Sequence, residues 1–286
     1  MDNELKIFFW GVRGSTPCAN AHNMVFGGNT TCIQIELEGF NDLIVADCGT
    51  GVRNLGNELA EKTGSKQGRI FVTHPHWDHL QGFPFFKPFY NSKNYFQVYM
   101  PPQGDVGCKE ILQGHLSDTF FPVSIDMLEA DVDCLTFEEG ILNFDAYSVE
   151  YMYARHTVPT AIYKFTFGDR VIVFAPDNEL PFVKNASNMA FIEKFRAFVK
   201  GVDVLIHDGQ FNKEQHNERL GWGHSDWETV LETTKDLQIK NLFLTHHDPD
   251  SSDEILTKRN KKINSLYADC FEQVCLIKER QEIILP

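Results

Sequence analysis

The chain has 286 residues, 42% of them hydrophobic and 13% aromatic, with a formal net charge of −14. That length suits one large domain or two, and no apolar stretch approaches the roughly 20 residues that span a bilayer, so no membrane partner is expected. An acidic body repels polyanions, and neutralised backbone phosphates drive most nucleic-acid affinity, so a small substrate is expected over a long RNA or DNA.

The N-terminus, Met1-Asp2-Asn3-Glu4-Leu5-Lys6, is acidic and lacks the basic and then apolar regions of a signal peptide. Seven scattered cysteines, with no close pair at metal-ligand spacing, suit reduced thiols in a cytoplasm. Lys6 to Trp10 reads as a strand left by the loop Gly11 to Pro17. That loop admits two readings equally, a phosphate cradle or a tight turn under a site, with Arg13 facing solvent or substrate. Thr31 to Leu37 alternates as a half-buried strand does, and Leu43 to Ala46 begins its hairpin partner. Gly49 and Gly51 read as turn residues before a helix over Val52 to Lys62.

Arg69-Ile70-Phe71-Val72 reads as a buried strand ending in Thr73-His74-Pro75-His76-Trp77-Asp78-His79-Leu80. In extended backbone His74 and His76 point the same way, and a bend into a helix turns Asp78 and His79 to another side. Three imidazoles and a carboxylate within six residues are hard to bury as packing, because each would need its own partner. They are the usual ligands of zinc, and two metal ions served from one loop is the reading preferred over a His-rich surface turn. Trp77 and Trp222 read more simply as core than as the floor of a base pocket.

Beyond this point Gln97 to Met100 is a strand and Gly107 to Leu116 a helix. Asp118 to Met127, with Phe120-Phe121-Pro122, reads as packing material or a lid. Strands are expected at Ile141 to Tyr147, Ala161 to Phe167, Arg170 to Phe174, Val202 to Ile206 and Asn241 to Leu244. Helices are expected near Ser187 to Lys200, Trp227 to Leu237 (capped by Ser225 or Asp226) and Ser252 to Asn264. The strand and helix order occurs twice, which predicts two related α/β halves fused over residues 1–286 into one domain. His156, Asp177, Asp208 and the pair His246-His247 all fall at or just beyond strand ends, where layered α/β proteins gather their sites. His22, His115 and His216 follow no such pattern and are read as surface or packing.

His-x-His-x-Asp-His, a later His, an Asp and a final His resemble the metallo-β-lactamase fold superfamily. The likeness runs from Gly11 to Pro249 and is nearest the phosphodiesterase branch with the transfer-RNA 3′-processing nucleases and cyclic-phosphate hydrolases. It implies an αββα four-layer sandwich of two mixed sheets with a binuclear metal site, zinc first, manganese or iron as alternatives. By the same resemblance His74, His76 and His156 hold one ion, Asp78, His79 and His246 the other, and Asp177 bridges them. His247 remains open as the alternative last ligand. The branch's acidic residue and Gly-His-Ser match Asp208 and His224, which implies that His224 meets the departing oxygen and Asp208 orients it. Asp208 stands where the transfer-RNA enzymes often carry Glu, and no basic Gly/Pro-rich insertion is found, so the expected substrate is a small or cyclic phosphodiester. Members of the branch are often dimers, which admits a homodimer.

The expected reaction is attack on that ester by a metal-bridging hydroxide, with Asp78 also able to hold the nucleophile. Lowering the pKa of bound water from 15.7 to about 7 is the larger effect, and a general acid adds roughly 10²–10⁴-fold. A thioester or lactone hydrolase on the same metals is the rival within enzymes. A binding module that keeps the fold without turnover is the rival outside them, and the intact ligand set argues against it.

Overall fold

The computed structural model describes residues 4–119, 121–181 and 185–285. Of the segments read from sequence, Met1 to Asn3 and Phe120 lie outside the described residues. The chain divides into two compact units, Met1–Ala19 with Gly27–Glu138 and Lys278–Pro286, and Asn20–Phe26 with Glu139–Ile277.

The first unit opens with a meander of β1 (Leu5–Gly11), β2 (Cys32–Leu37) and β3 (Leu43–Ala46). It continues through α1 (Val52–Glu61), β4 (Gln67–Phe71), α2 (Trp77–Leu80), β5 (Tyr95–Met100), α3 (Cys108–His115) and β6 (Asp131–Thr136), and closes with β14 (Glu282–Leu285). Its seven strands run in the order β14-β1-β2-β3-β4-β5-β6. Pairing is antiparallel up to β3 and parallel from β3 to β6. Each parallel pair needs a crossover, and α1 and α3 occupy two of them. Val52, Leu55 and Leu59 put a helical stripe of α1 into a core with Val45, Ile70, Val98 and the rings Phe83, Phe86, Phe89 and Phe96.

In the second unit β7 (Ile141–Asn143), β8 (Ser148–Tyr153), β9 (Ala161–Phe167) and β10 (Arg170–Ala175) form the meander. Then come α4 (Ala186–Val199), β11 (Val204–Asp208), α5 (Lys213–Glu218), α6 (Trp227–Thr234), β12 (Asn241–Thr245), α7 (Asp253–Tyr267) and β13 (Gln273–Leu276). The sheet order is β13-β12-β11-β10-β9-β8-β7, parallel from β10 to β13 and antiparallel from β7 to β10. Its core joins Val173, Leu205, Leu242 and Leu244 to Phe195, Trp227, Val230 and Ile263 from the helices. Two mixed seven-stranded sheets with their helices are those of the αββα class.

Several expectations need correction. The strand proposed for Ile141 to Tyr147 stops at Asn143. Tyr147 instead closes the hairpin into β8, its carbonyl accepting from the Phe144 amide at 2.8 Å. β6 and α5 were not anticipated: β6 turns only Val132 and Cys134 to the core, and α5 is wholly polar, its signal being the capping box Asn212-x-x-Gln215. α6 is capped by Asp226, which accepts from the Thr229 amide, and ends three residues earlier than expected, at Thr234. Phe121 packs at the edge of the first core, as the packing reading has it. Trp77 and Trp222 are not core at all: they are 73% and 60% exposed. Arg13 faces neither solvent nor substrate; it is buried, with Nε donating to the Gly27 carbonyl at 2.8 Å. His216 is buried in an ion-pair network described below rather than simply packed.

Candidate metal centre

In the first unit the functional side chains begin where parallel strands end. β4 closes at Phe71, and Thr73 and His74 follow it into the helical turn of α2. Asp47, the residue after β3, has a left-handed backbone (φ 62°), a conformation that non-glycine residues seldom adopt and that is over-represented at functional sites. Its carboxylate accepts from the Thr73 amide at 2.8 Å and from Thr73 Oγ1 at 3.0 Å. The other oxygen lies 2.7 Å from His79 Nδ1. Thr73 Oγ1, its proton spent on Asp47, is left to accept from His74 Nδ1 at 3.1 Å. Both imidazoles are thus anchored through Nδ1, and the tautomer this selects leaves Nε2 with its lone pair.

Those lone pairs meet neighbours that are also ligand types. His74 Nε2 lies 2.9 Å from His76 Nδ1, and His79 Nε2 lies 3.4 Å from Asp78 Oδ2. The His74 and His79 ring centres are 4.2 Å apart. The Ser15 amide donates to Asp78 Oδ2 at 2.7 Å from the Gly11 to Pro17 loop. The amides of Val12, Arg13 and Thr16 are spent on backbone carbonyls, so this loop acts as a platform for Asp78. Gly49 is required for a related reason: a Cβ there would overlap the Asp78 carbonyl and Thr31.

The second unit repeats the design with different residues. Asp177 follows β10, Asp208 ends β11, and His246 follows β12 with φ 59°. Asp177 Oδ1 lies 3.2 Å from His246 Nε2, and its Oδ2 lies 3.6 Å from His156 Nε2. His156, His246 and His224 are each held by Nδ1, on the Gly223 carbonyl at 3.0 Å, Gln210 Oε1 at 3.2 Å and Asp208 Oδ2 at 2.9 Å. His156, Asp177 and His224 bring donor atoms within 4.8 Å of one another, as do Asp208, His224 and His246. His247 turns elsewhere: its Nε2 is 2.8 Å from the Ile277 carbonyl and its ring meets Phe26 edge-on.

The loop carrying His224 has its own support. Glu179 accepts from the amides of Gly221 at 3.0 Å and Gly223 at 2.8 Å. Its neighbour His216 is 2.7 Å from Asp226 Oδ2 and 3.8 Å from Glu179 Oε1. Burial alone would lower the His216 pKa, but hydrogen bonds to Asp226 and Glu179 outweigh it and raise the value to about 9. Burial opposes ionisation of Glu179 and Asp226 as well, and the hydrogen bonds from His216 and nearby amides hold both below their ordinary values. Asp47, Thr73, Glu179, Gln210 and His216 were all missed from sequence. Asp47, Thr73 and Gln210, at or just beyond strand ends, carried the same positional signal as the residues that were found.

In each unit several imidazoles are turned inward by an outer hydrogen bond and meet a carboxylate. This donor chemistry fits divalent ions, and in each unit the fold delivers the donors from strand ends, as a metal-dependent enzyme requires. Residues 43–247 match the model of the β-lactamase superfamily domain. A ribonuclease Z of Streptococcus suis (strain 98HAH33) is 26% identical over 295 aligned residues, covering 87% of this chain and 92% of the relative. Among solved structures, the metallo-β-lactamase fold protein YhfI from Bacillus subtilis has a TM-score of 0.70 at 17% identity, covering 99% of this chain and 100% of that one. Human tRNase Z, short form, has a TM-score of 0.66 at 17% identity over 98% and 99% of the two chains. The chain belongs to the metallo-β-lactamase superfamily and is a metal-dependent hydrolase acting on ester bonds.

Proposed function

We propose that the chain is a phosphodiesterase with a binuclear centre: His74, His76 and His156 on one ion, Asp78, His79 and His246 on the other, and Asp177 shared. The observation that carries this is Asp177, whose two oxygens are directed at two different imidazoles, His246 at 3.2 Å and His156 at 3.6 Å. A carboxylate divided in this way suits a bridging ligand. The reading takes residues 1–286 as one domain of two pseudo-equivalent halves, since the ligands come from both.

Bound divalent ions supply water activated at neutral pH and neutralise charge on the phosphoryl oxygens. The chain's own residues do the rest. Asp47, Thr73, Gln210 and the Gly223 carbonyl fix the ligand tautomers, so no reorganisation is needed as charge develops. Asp208 accepts from His224 Nδ1–H, which leaves Nε2 to carry a second proton and deliver it to the departing oxygen. Zinc is the preferred occupant, with manganese and iron within the same donor chemistry. All seven cysteines are free thiols, which supports a reducing, cytoplasmic setting. Among the described residues no helix is long and apolar enough to cross a membrane.

RNA is the first substrate reading, supported by the relatives named ribonuclease Z and tRNase Z. The preference for small esters drawn from net charge gives way here, because affinity follows the local field at the site and not the total. A small phosphodiester is the second reading. The test is metal stoichiometry by mass spectrometry, with hydrolysis of a 3′-extended RNA, a cyclic nucleotide and bis-(p-nitrophenyl) phosphate. Two ions per chain and turnover of any of these support the reading, and their relative rates choose the substrate. Full metal loading with hydrolysis only of a thioester or lactone would overturn it.

A further inference from the structure

Trp77 sits between two of the proposed ligands, His76 and Asp78, yet it takes no part in the donor cluster. In one helical turn Asp78 and His79 are directed inward and buried, while Trp77 projects outward and is 73% exposed. Residues four apart on a helix share a side, so Gln81 joins Trp77 there. Both line a pocket of about 610 Å³ with Pro75, Phe85, His115 and Phe121 among its walls. The volume falls in the 300–1,000 Å³ range of small-molecule sites. Phe85 and Phe121 form one wall, their rings edge-on at 5.5 Å, and the Tyr90 hydroxyl donates to the Pro84 carbonyl at 2.7 Å behind it.

Among the described residues the lining is neutral, with no Asp, Glu, Lys or Arg, in a chain with a net charge of −14. Such a wall offers no charge to a phosphate or to a basic peptide. It suits the flat, uncharged part of an anionic molecule whose charged part lies at the metal motif. The polar edges come from the Gln81 amide and from His115, whose burial lowers its pKa and keeps the imidazole neutral near pH 7, a donor and an acceptor at once.

We propose that this pocket is a nucleobase subsite, in which Trp77 and the Phe85–Phe121 wall stack the base of the nucleotide carrying the scissile phosphate. It adjoins the metal motif along the chain, because Pro75 and Trp77 belong to the loop that bears His74, His76, Asp78 and His79. It rests on the phosphodiesterase reading and deepens it: the substrate class becomes nucleotide-bearing esters, recognised by stacking more than by backbone charge. Stacking tolerates any base, since each has a π face, so weak sequence preference is expected.

The test uses the metal-loaded full chain and two esters with the same leaving group, p-nitrophenyl thymidine monophosphate and methyl p-nitrophenyl phosphate. The wild type favours the base-bearing ester through a lower KM, and Trp77→Ala reduces the ratio of kcat/KM values by about tenfold or more, the scale of one lost stack. Phe85→Ala, at a second exposed wall position, shifts the ratio the same way. A ratio unmoved in both variants, or a wild type indifferent to the base, overturns the proposal. If neither ester is cleaved, the phosphodiesterase reading fails, and the pocket is read separately by quenching of tryptophan fluorescence with adenosine monophosphate. Saturable quenching lost in Trp77→Phe supports the subsite; its absence in the wild type ends it. A change in sedimentation of Trp77→Ala, with the ratio intact, would assign the pocket to a second copy of the chain and overturn the subsite.

Discussion

One oxygen of Asp208 lies 2.9 Å from His224 Nδ1 and also accepts from the Ser225 amide at 3.2 Å, so a single atom fixes both the ring and the backbone beside it. The other oxygen accepts from the Gln210 amide at 2.9 Å, which leaves the carboxylate little freedom to turn. His224→Ala is expected to keep its metal and lose roughly 10²–10⁴-fold in kcat, the range of one general acid. Asp208→Asn keeps the shape but loses the acceptor that selects the tautomer, so kcat should fall with KM little changed. Steady-state kinetics beside metal content measure both. Equal rates in His224→Ala would remove that ring from the mechanism.

Asp47 touches His79 and Thr73 and is itself no proposed ligand. Asp47→Ala removes the acceptor for His79 Nδ1 and frees Thr73 Oγ1 from its role beneath His74. Metal affinity should drop about 10–100-fold, as is common when the partner of a ligating imidazole is lost. Competition with a chromogenic chelator gives the number. An unaltered affinity would mean that the strand ends alone hold these rings.

Gly223 has φ 89°, and a Cβ at that position would overlap His156 Nδ1. Gly223→Ala should therefore displace His156 and lower the bound metal from two ions per chain toward one, beyond any cost of the strained backbone. Gly221→Ala is the control: its φ is 85° but a Cβ there meets nothing within 4 Å. Similar metal content in the two variants would count against His156 as a ligand.

The pair His216 and Asp226 makes stability depend on pH in a set direction. His216 rises from an ordinary 6.5 to about 9 in the folded chain, so its contribution is complete below pH 6.5 and fades as pH passes through 9. Asp226 and Glu179 are shifted down, so theirs is present above the carboxylate range and lost as pH falls through it. The gap in melting temperature between wild type and His216→Gln should be widest between these limits, by several degrees, and narrow above pH 9. Thermal unfolding at fixed metal concentration checks it; a gap constant across that range would place the value of His216 in packing instead of charge.

Local chemistry made much of this protein readable in one dimension. Alternation marks β2, a short apolar run marks β4, and a serine able to cap marks the start of α7. The cluster from His74 to His79 declares itself because its donors are close in the chain. Resemblance extended that to His156, Asp177, Asp208, His224 and His246. In the edge strand β6 only Val132 and Cys134 alternate toward the core, too short a pattern to stand out, and the polar helix α5 repeats no apolar face.

Tertiary structure decided which face each candidate shows. Nothing in the pair His246-His247 separates two identical side chains; the left-handed turn after β12 aims one at Asp177 and the other at the Ile277 carbonyl. Trp77 and Arg13 exchanged their expected places for the same reason, the tryptophan outward beside a neutral pocket and the guanidinium inward on a carbonyl. Residue types and spacing determine what chemistry a chain can perform, because ligand character is a property of the side chain. Which nitrogen is anchored, and which remains to bind, depends on partners such as Asp47, Gln210 and Gly223, all of which stand tens of residues from the rings they hold.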